Sequence, residues 1–296
     1  MRLPERIAIT GSSGLIGTAL VGHLKSEGHT VQRLVRRAPI AVDEVTWDPQ
    51  TGYVDLTALE GVDAVIHLAG APVDGKRWTK KYKAEILNSR LMGTSTIAKA
   101  VATVKPSVFI SASAMGWYGE SGNRAVVESD RVGDDFLAAV CREWEAAADL
   151  AGDVRTVKLR TGLVLDPTGG ALGKMLPLFR LGFGGKLGSG KQWWSWITLH
   201  DVVRAIDFAL VENISGPINL TTPNPVTNQE FTSALARAVH RPALFPAPAI
   251  ALKIALGGFS NEILGSKRVL PQVLQDAGFT WNYPHITETL DALVKG

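Results

Sequence analysis

The sequence has a single cysteine, Cys141, among its 296 residues. One cysteine cannot form an intramolecular disulfide or a multi-cysteine zinc site, so nothing indicates an oxidising compartment, and we expect a cytoplasmic protein. The six histidines show no ligand spacing such as H-E-x-x-H. No metal is therefore predicted.

Excess charge and long apolar runs are also scarce. Lys and Arg number 31 against 28 Asp and Glu, a formal charge of +3, and so small a surplus predicts no nucleic acid and no membrane as a partner. No apolar run of signal-peptide length precedes the first glycines. The most apolar later stretch, 246–259, is short and contains Lys253, so it is not expected to cross a bilayer.

Residues 1–160 alternate short apolar runs with helical patterns. This alternation predicts an α/β fold, a Rossmann-type doubly wound parallel sheet. The predicted strands are 6–10, 30–35, 64–67, 107–111 and 155–160, and the predicted helices include 15–27, 79–104 and 138–150.

The second half predicts a different organisation. A glycine-rich insertion at about 163–192 is typical of a substrate-facing surface. Strands are predicted at 193–198 and 217–221, Asp201 is predicted to cap a helix, and Thr227 with Glu230 forms a capping-box pattern. We therefore predict one large domain over 1–240 and a smaller, mostly helical substrate-side region over 241–296.

The segment Thr-Gly-Ser-Ser-Gly-Leu-Ile-Gly is the most informative motif. Gly11, Gly14 and Gly17 follow a predicted strand and open a predicted helix. A tight turn, a close backbone approach and the unpaired N–H groups of a helix start suit a dinucleotide pyrophosphate. The alternative is an ordinary glycine-rich turn between a strand and a helix.

The end of the second predicted strand indicates which dinucleotide binds. In an NAD enzyme an acidic residue about 20 positions after the glycines binds the ribose hydroxyls. Here Arg36 and Arg37 stand at that point, with no Asp or Glu before Asp43. A guanidinium can bind a 2′-phosphate with two hydrogen bonds, so NADP(H) is favoured.

Several segments together resemble one known family. They are the glycine loop, His67–Gly70, Asn88-Ser89-Arg90, Arg160-Thr161-Gly162, 169–177 and 188–197. With them the chain resembles the extended, nucleoside-diphosphate-sugar-epimerase-like branch of the short-chain dehydrogenase/reductases. It resembles more closely an atypical epimerase-family group that has a C-terminal domain of unknown function.

The resemblance implies a set of NADP(H)-binding residues and a homodimer built from two helices of each subunit. The implied cofactor residues are Gly11, Ser13, Gly14, Leu15, Ile16, Gly17, Val35, Arg36, Leu68, Ala69, Gly70, Glu85, Arg90 and Arg160.

The catalytic motif of the superfamily is incomplete. Active members pair a Ser or Thr with Tyr-x-x-x-Lys, because hydride transfer at a carbinol needs a proton donor or acceptor. Ser113 occupies the place of the serine, with Ser111 as a close substitute, but Leu137 and Cys141 stand where the tyrosine and lysine are expected. Tyr118 is the nearest phenol and a candidate proton donor, although a loop aromatic that simply packs explains it equally well.

Two further patterns each have an alternative explanation. The segment 185–191 resembles a phosphate-binding loop, but Gln192 stands where a magnesium-binding Ser or Thr is needed, so a nucleotide triphosphatase is rejected. The tryptophans of 193–196, with Phe179 and Phe183, either line a substrate pocket or pack in a core.

Two functions therefore remain open. One is an NADP(H)-dependent oxidoreductase or epimerase-like enzyme that acts on a small carbonyl or nucleotide-sugar substrate, with Ser113 polarising the carbonyl. The other is a catalytically idle NADP(H)-binding regulator or scaffold.

Overall fold

A computed structural model describes residues 4–295 of the chain. The strands are β1 Arg6–Thr10, β2 Thr30–Val35, β3 Glu44–Asp48, β4 Tyr53–Val54, β5 Ala64–His67, β6 Val108–Ala114, β7 Ala125–Val126, β8 Thr156–Thr161, β9 Leu163–Asp166, β10 Trp193–Trp194, β11 Trp196–Thr198, β12 Gly216–Leu220, β13 Val226–Thr227 and β14 Arg268–Val269. The helices are α1 Leu15–Ser26, α2 Leu56–Leu59, α3 Lys80–Val104, α4 Phe136–Ala148, α5 Gly170–Arg180, α6 Leu199–Val211, α7 Asn228–Ala238, α8 Ala249–Leu256, α9 Ser260–Leu264, α10 Gln272–Asp276 and α11 Ile286–Lys295.

An eight-stranded sheet organises the fold, in the order β12-β8-β6-β5-β1-β2-β3-β4. All neighbouring pairs are parallel except β3 with β4. The strand order reverses at β1, which lies between β2 and β5. In such sheets a ligand binds at the carboxyl ends of the strands beside this reversal.

Helices cover both faces of the sheet, as the doubly wound prediction requires. Alternate residues of β1 point to opposite faces. Ile7 and Ile9 pack with α1 and α6, whereas Ala8 packs with α3. Because both faces are buried, β1, β5 and β6 read as mainly apolar runs, which made them predictable from the sequence. The strands β2 and β8 were also predicted, although each contains polar residues.

A third apolar cluster lies beside the sheet and supports the substrate-side region. It joins residues of α5, α7 and α11, with Phe231 and Trp196 fully buried. The short strands β9 and β11 pair in parallel at its edge. The predicted 193–198 strand is thus divided into β10 and β11, which pair with β13 and β9 respectively. The proposed domain boundary at residue 240 stays a prediction.

Two local predictions have opposite outcomes. The capping box at α7 is confirmed, because Thr227 and Glu230 exchange side-chain and backbone hydrogen bonds. The prediction that Asp201 caps α6 was wrong, since the helix begins earlier and Thr198 accepts the N–H of Asp201. The sequence alone does not show the role of Asp201, because its hydrogen-bond partners lie about 80 residues further along the chain.

Asp201 connects α6 to the C-terminal region. Its fully buried carboxylate accepts the backbone N–H groups of Asn282 and Tyr283, each at 3.0 Å, and pairs with Arg204. Removing it would leave the N–H groups of Asn282 and Tyr283 without these acceptors and Arg204 without its carboxylate, which costs more than removing a cap.

We expect Asp201→Ala to lower the free energy of unfolding by about 3 kcal/mol, and Thr198→Ala by only about 1 kcal/mol. Urea denaturation monitored by tryptophan fluorescence measures both. Equal losses in the two variants would contradict the role assigned to Asp201.

Candidate functional site: a groove across the carboxyl ends of the strands

The loop between β1 and α1 has room only for glycine at two positions. Gly11 has φ +69°, and a Cβ there would lie 2.8 Å from the carbonyl carbon of Leu68. A Cβ on Gly17 would lie 2.1 Å from the carbonyl oxygen of Gly11. The loop therefore packs its backbone directly against the end of β5 and the start of α1.

The start of α1 is suited to an anion. Gly14 is the N-cap and offers no side-chain hydrogen bond, so the N–H groups of the first turn lack the partners that a capping side chain would supply. No acidic residue lies in that turn. These N–H groups and the positive end of the helix dipole together favour a phosphate.

A cavity of about 790 Å³ opens beside this loop. Its lining includes most of the predicted cofactor residues, among them Gly11, Ser13, Gly14, Val35, Arg36, Leu68, Ala69 and Gly70. It also includes the run 47–50 at the end of β3, which the sequence analysis missed. Polar Glu44, Thr46 and Asp48 alternate with apolar Val45 and Trp47, and this alternation is the signal that could have identified the strand.

The two consecutive arginines at this cavity differ in their partners. Arg37 donates two hydrogen bonds to Glu44, at 2.7 and 2.6 Å. These bonds hold the pKa of Glu44 well below its usual range, so the carboxylate is charged and remains bound to Arg37. Arg36 is exposed, and within residues 4–295 no carboxylate pairs with it. Arg36 is thus the guanidinium available to a ligand.

Glu85 and Arg90, both on α3, occupy different surroundings. Glu85 lines a neighbouring cavity of about 520 Å³, 3.7 Å from the ammonium of Lys76. Arg90 donates to the carbonyl oxygen of Ala71 at 2.9 Å and lies over the indole ring of Trp144. Arg90 therefore supports the loop after β5.

A third cavity, of about 280 Å³, continues the groove toward β6 and β8. It shares Gly11, Gly14 and Leu68 with the first cavity and adds Leu15, Ile16, Gly17, Ser113, Trp144 and Thr161. The indole N–H of Trp144 is buried and has no hydrogen-bond partner among the described residues. The groove therefore extends from Arg36 at one end to Ser113 at the other.

Ser113 belongs to a buried polar network. Its hydroxyl donates to the Oε1 of Glu145 at 2.7 Å. Arg160 binds the same carboxylate with two hydrogen bonds, Nε to Oε1 at 2.8 Å and Nη2 to Oε2 at 3.0 Å. Arg160 thus acts through Glu145 and is absent from the lining of the three cavities of the groove. Glu145 is the partner that the sequence analysis missed, and a charged residue among the apolar positions of α4 was its signal.

Tyr118 lies on the far side of Arg160. Its hydroxyl donates to Asn219 Oδ1 at 2.7 Å and accepts from Arg160 Nη1 at 3.1 Å. Burial raises the pKa of Tyr118 to about 12. The phenol is therefore neutral at physiological pH, and both its proton and its oxygen are engaged.

The helix that would hold Tyr-x-x-x-Lys packs tightly against the turn after β6. A Cβ on Gly116 would lie 3.1 Å from Leu137 Cβ and 3.4 Å from Cys141 Sγ. Cys141 is buried, and burial raises the pKa of its thiol to about 12. These two positions are occupied by packing side chains.

The aromatic residues of the insertion also mostly pack. Trp196 and Phe179 are buried in the third apolar cluster, and Trp194 contacts the ring of Phe231. Phe183 is exposed. Within residues 4–295 no cluster of three potential metal ligands is found, and no helix there is long and apolar enough to span a bilayer.

The fold and this groove define a Rossmann-type protein with a phosphate-binding helix start. A family model described as the NAD dependent epimerase/dehydratase family matches residues 7–220, and a domain of unknown function, DUF1731, matches residues 247–293. The chain belongs to the epimerase family. The resemblance stated from the sequence is thereby confirmed.

Similar proteins are known from several organisms. An epimerase family protein of Mycobacterium bovis is 46% identical over 96% of each chain, and a chloroplastic SDR39U1 homolog of Arabidopsis thaliana is 37% identical over 98% of this chain and 86% of its own. The crystal structure of human epimerase family protein SDR39U1 with NADPH superposes with a TM-score of 0.91 at 32% identity, covering 98% of this chain and 99% of that one.

The histidine at the end of β5 predicts a pH dependence. His67 is fully buried, its Nδ1 lies 2.7 Å from Thr10 Oγ1, and burial lowers its pKa to about 3. The unfolded chain therefore binds one more proton than the folded chain between about pH 6.5 and 3. Stability is fully present above this window and falls as the pH falls through it.

We expect His67→Gln to have a shallower loss of unfolding free energy with falling pH, by up to about 1.4 kcal/mol per pH unit within that window. Urea titrations at several pH values measure the slope. His285→Gln, at an exposed histidine, is the matched control and should keep the wild-type slope. The same slope in wild type and His67→Gln would refute a neutral buried imidazole.

Proposed function

We propose that this protein is an NADP(H)-dependent oxidoreductase or epimerase-like enzyme that acts on a small carbonyl or nucleotide-sugar substrate. The observation that carries the cofactor assignment is the free guanidinium of Arg36 in a groove that begins at the glycine loop. NADPH in the crystal structure of the human relative supports it.

The residues present fit such a cofactor. A Cβ at Gly11 or Gly17 would overlap the backbone of Leu68 or of the loop itself, so glycine keeps this turn tight. The first turn of α1 can then bind the pyrophosphate through Leu15, Ile16 and Gly17. Arg36 would bind the 2′-phosphate, while Val35 and the 68–70 segment line the adenosine end. Arg37 is not expected to bind the cofactor, because its guanidinium is already paired with Glu44. Glu85 and Arg90 flank this end.

Ser113 is the proposed catalytic residue. The bound cofactor supplies a nicotinamide that transfers hydride. For Ser113 to polarise a carbonyl oxygen, its proton must turn from Glu145 toward the substrate. The carboxylate of Glu145 stays hydrogen-bonded when this happens, since Arg160 holds both of its oxygens. Arg160 and Glu145 are therefore positioning residues for the hydroxyl.

Tyr118 fits a supporting role in this scheme. Its hydroxyl is saturated by Asn219 and Arg160, and its high pKa makes it a poor proton donor near neutral pH. We propose that it orients Arg160. A cytoplasmic location and a homodimer stay predictions.

A second function is supported by one specific observation. Leu137 and Cys141 fill the positions of the superfamily's tyrosine and lysine. A protein that binds NADP(H) but turns nothing over, serving as a regulator or scaffold, needs no residues there. Turnover measurements separate the two functions.

We expect Arg36→Ala to weaken NADPH binding by about tenfold to a hundredfold, because charge-assisted hydrogen bonds to the 2′-phosphate are lost. NADH binding should change little, since NADH lacks that phosphate. A titration read by tryptophan fluorescence measures both affinities. Arg142→Ala, at an exposed arginine of α4, is the control. Unchanged NADPH affinity in Arg36→Ala would remove the basis for NADP selectivity.

We expect NADPH oxidation with a panel of small carbonyls and nucleotide-sugars, and a loss of kcat of about a hundredfold or more in Ser113→Ala. NADPH affinity should stay within about twofold, because Ser113 is proposed to act on the substrate. Ser111→Ala, at a buried serine of the same strand, is the matched control. Binding of NADPH without turnover on the whole panel would favour the regulator.

A further inference from the structure

Two stretches of the chain that lie together in the fold contain no acidic residue. None lies between Asp166 and Asp201, and none lies between Glu230 and Glu262. Both stretches contain lysine and arginine. The seven lysines and arginines of these two stretches are therefore balanced by no acidic residue within them.

The two stretches form one surface. The N–H of Phe245 donates to the carbonyl oxygen of Gly184 at 3.2 Å, and the N–H of Ala247 donates to that of Lys186 at 2.9 Å. The rings of Phe183 and Phe245 lie 5.8 Å apart. The helix α8 follows directly. We call this surface the basic-apolar face, with apolar members Leu178, Leu181, Phe183, Leu244, Phe245, Ile250 and Ile254 and basic members Arg180, Lys186, Lys191, Arg241 and Lys253.

The apolar members are well exposed. Their exposed fractions range from 54% for Leu178 to 73% for Ile250. The helix α8 has no buried residue, and Ile250 and Ile254 are one turn apart on it. A cluster of large apolar side chains in water is a marker of an interaction surface.

The basic members have no carboxylate partner among residues 4–295. The two other cations of these stretches are paired, Lys174 with Asp74 and Arg237 with Asp291, and are left out for that reason. Glu120 and Lys253 line the same cavity, but they do not form an ion pair; the Oε2 of Glu120 accepts the N–H of Ser266 instead.

We propose that the basic-apolar face docks this protein onto an anionic lipid bilayer surface. Apolar side chains would enter the interface while the surrounding lysines and arginines meet the lipid phosphates, a combination typical of proteins that lie on membranes. The net charge led to the expectation of no membrane partner, because it averages this face with the rest of the chain.

A second copy of the chain fits this face less well. In a two-fold dimer the same patch meets itself, so the five cations would face the same five cations. An anionic surface has the complementary charge. The residues that line the groove from Arg36 to Ser113 are different from those of this face.

Flotation with lipid vesicles tests the proposal on the full chain. We expect wild type to float with vesicles of equal parts phosphatidylcholine and phosphatidylglycerol, and not with phosphatidylcholine alone. The bound fraction should fall as salt rises. Ile250→Ser with Ile254→Ser, and separately Arg180→Glu with Arg241→Glu, should each weaken binding by at least about tenfold.

Matched controls change similar residues elsewhere. Tyr53→Ser with Leu150→Ser alters exposed apolar residues, and Lys99→Glu with Arg142→Glu reverses exposed cations; both pairs should bind vesicles like wild type. Circular dichroism and urea midpoints like those of wild type show that the variants are folded.

Three outcomes would overturn the proposal. The first is equal binding to neutral vesicles or none to anionic ones. The second is equal weakening in the control pairs. The third is a concentration-dependent dimer, seen by analytical ultracentrifugation, that the Ile250 and Ile254 substitutions abolish and that does not float; this would assign the face to a second copy.

Discussion

The buried ion pair of Arg160 with Glu145 joins the elements around the inner end of the groove. Glu145 lies on α4 and Arg160 on β8, and both are almost completely buried. Through them Ser113 on β6 and the turn with Tyr118 are connected. A buried pair of this kind adds little stability by itself, yet losing one partner leaves an uncompensated charge, so the arrangement specifies one geometry.

In that geometry a charged pair lies beside Ser113, in a chain that has Leu137 and Cys141 where the superfamily's tyrosine and lysine are expected. Arg160 lies next to the serine, and Glu145 pairs with Arg160 and accepts the hydrogen bond of the serine hydroxyl. The helix α4 can then pack Leu137 and Cys141 closely against the turn at Gly116. The catalysis proposed for this site depends on one hydroxyl and its charged neighbours.

In this molecule the positions of the charged residues matter more than the net charge. Arg36 and Arg37 are adjacent in sequence, but only Arg37 meets Glu44, and the free one faces the groove. The same holds on a larger scale for the basic-apolar face, whose five cations have no carboxylate partner among residues 4–295 although the composition is nearly balanced. Net charge predicts neither arrangement, because it does not record where the charged residues lie.

The sequence alone determined the sheet, the glycine loop and the family, because apolar runs, glycine spacing and caps act over a few residues and the backbone responds to them locally. It placed β1, β2, β5 and α3 to within a residue or two. It missed β3, which is short and has a weak alternation, and it misassigned Asp201, whose partners lie about 80 residues away. The partner of Ser113, the saturation of Tyr118 and the choice between two arginines were decided only by the tertiary structure, since each depends on which distant side chains the packed sheet brings within hydrogen-bond distance.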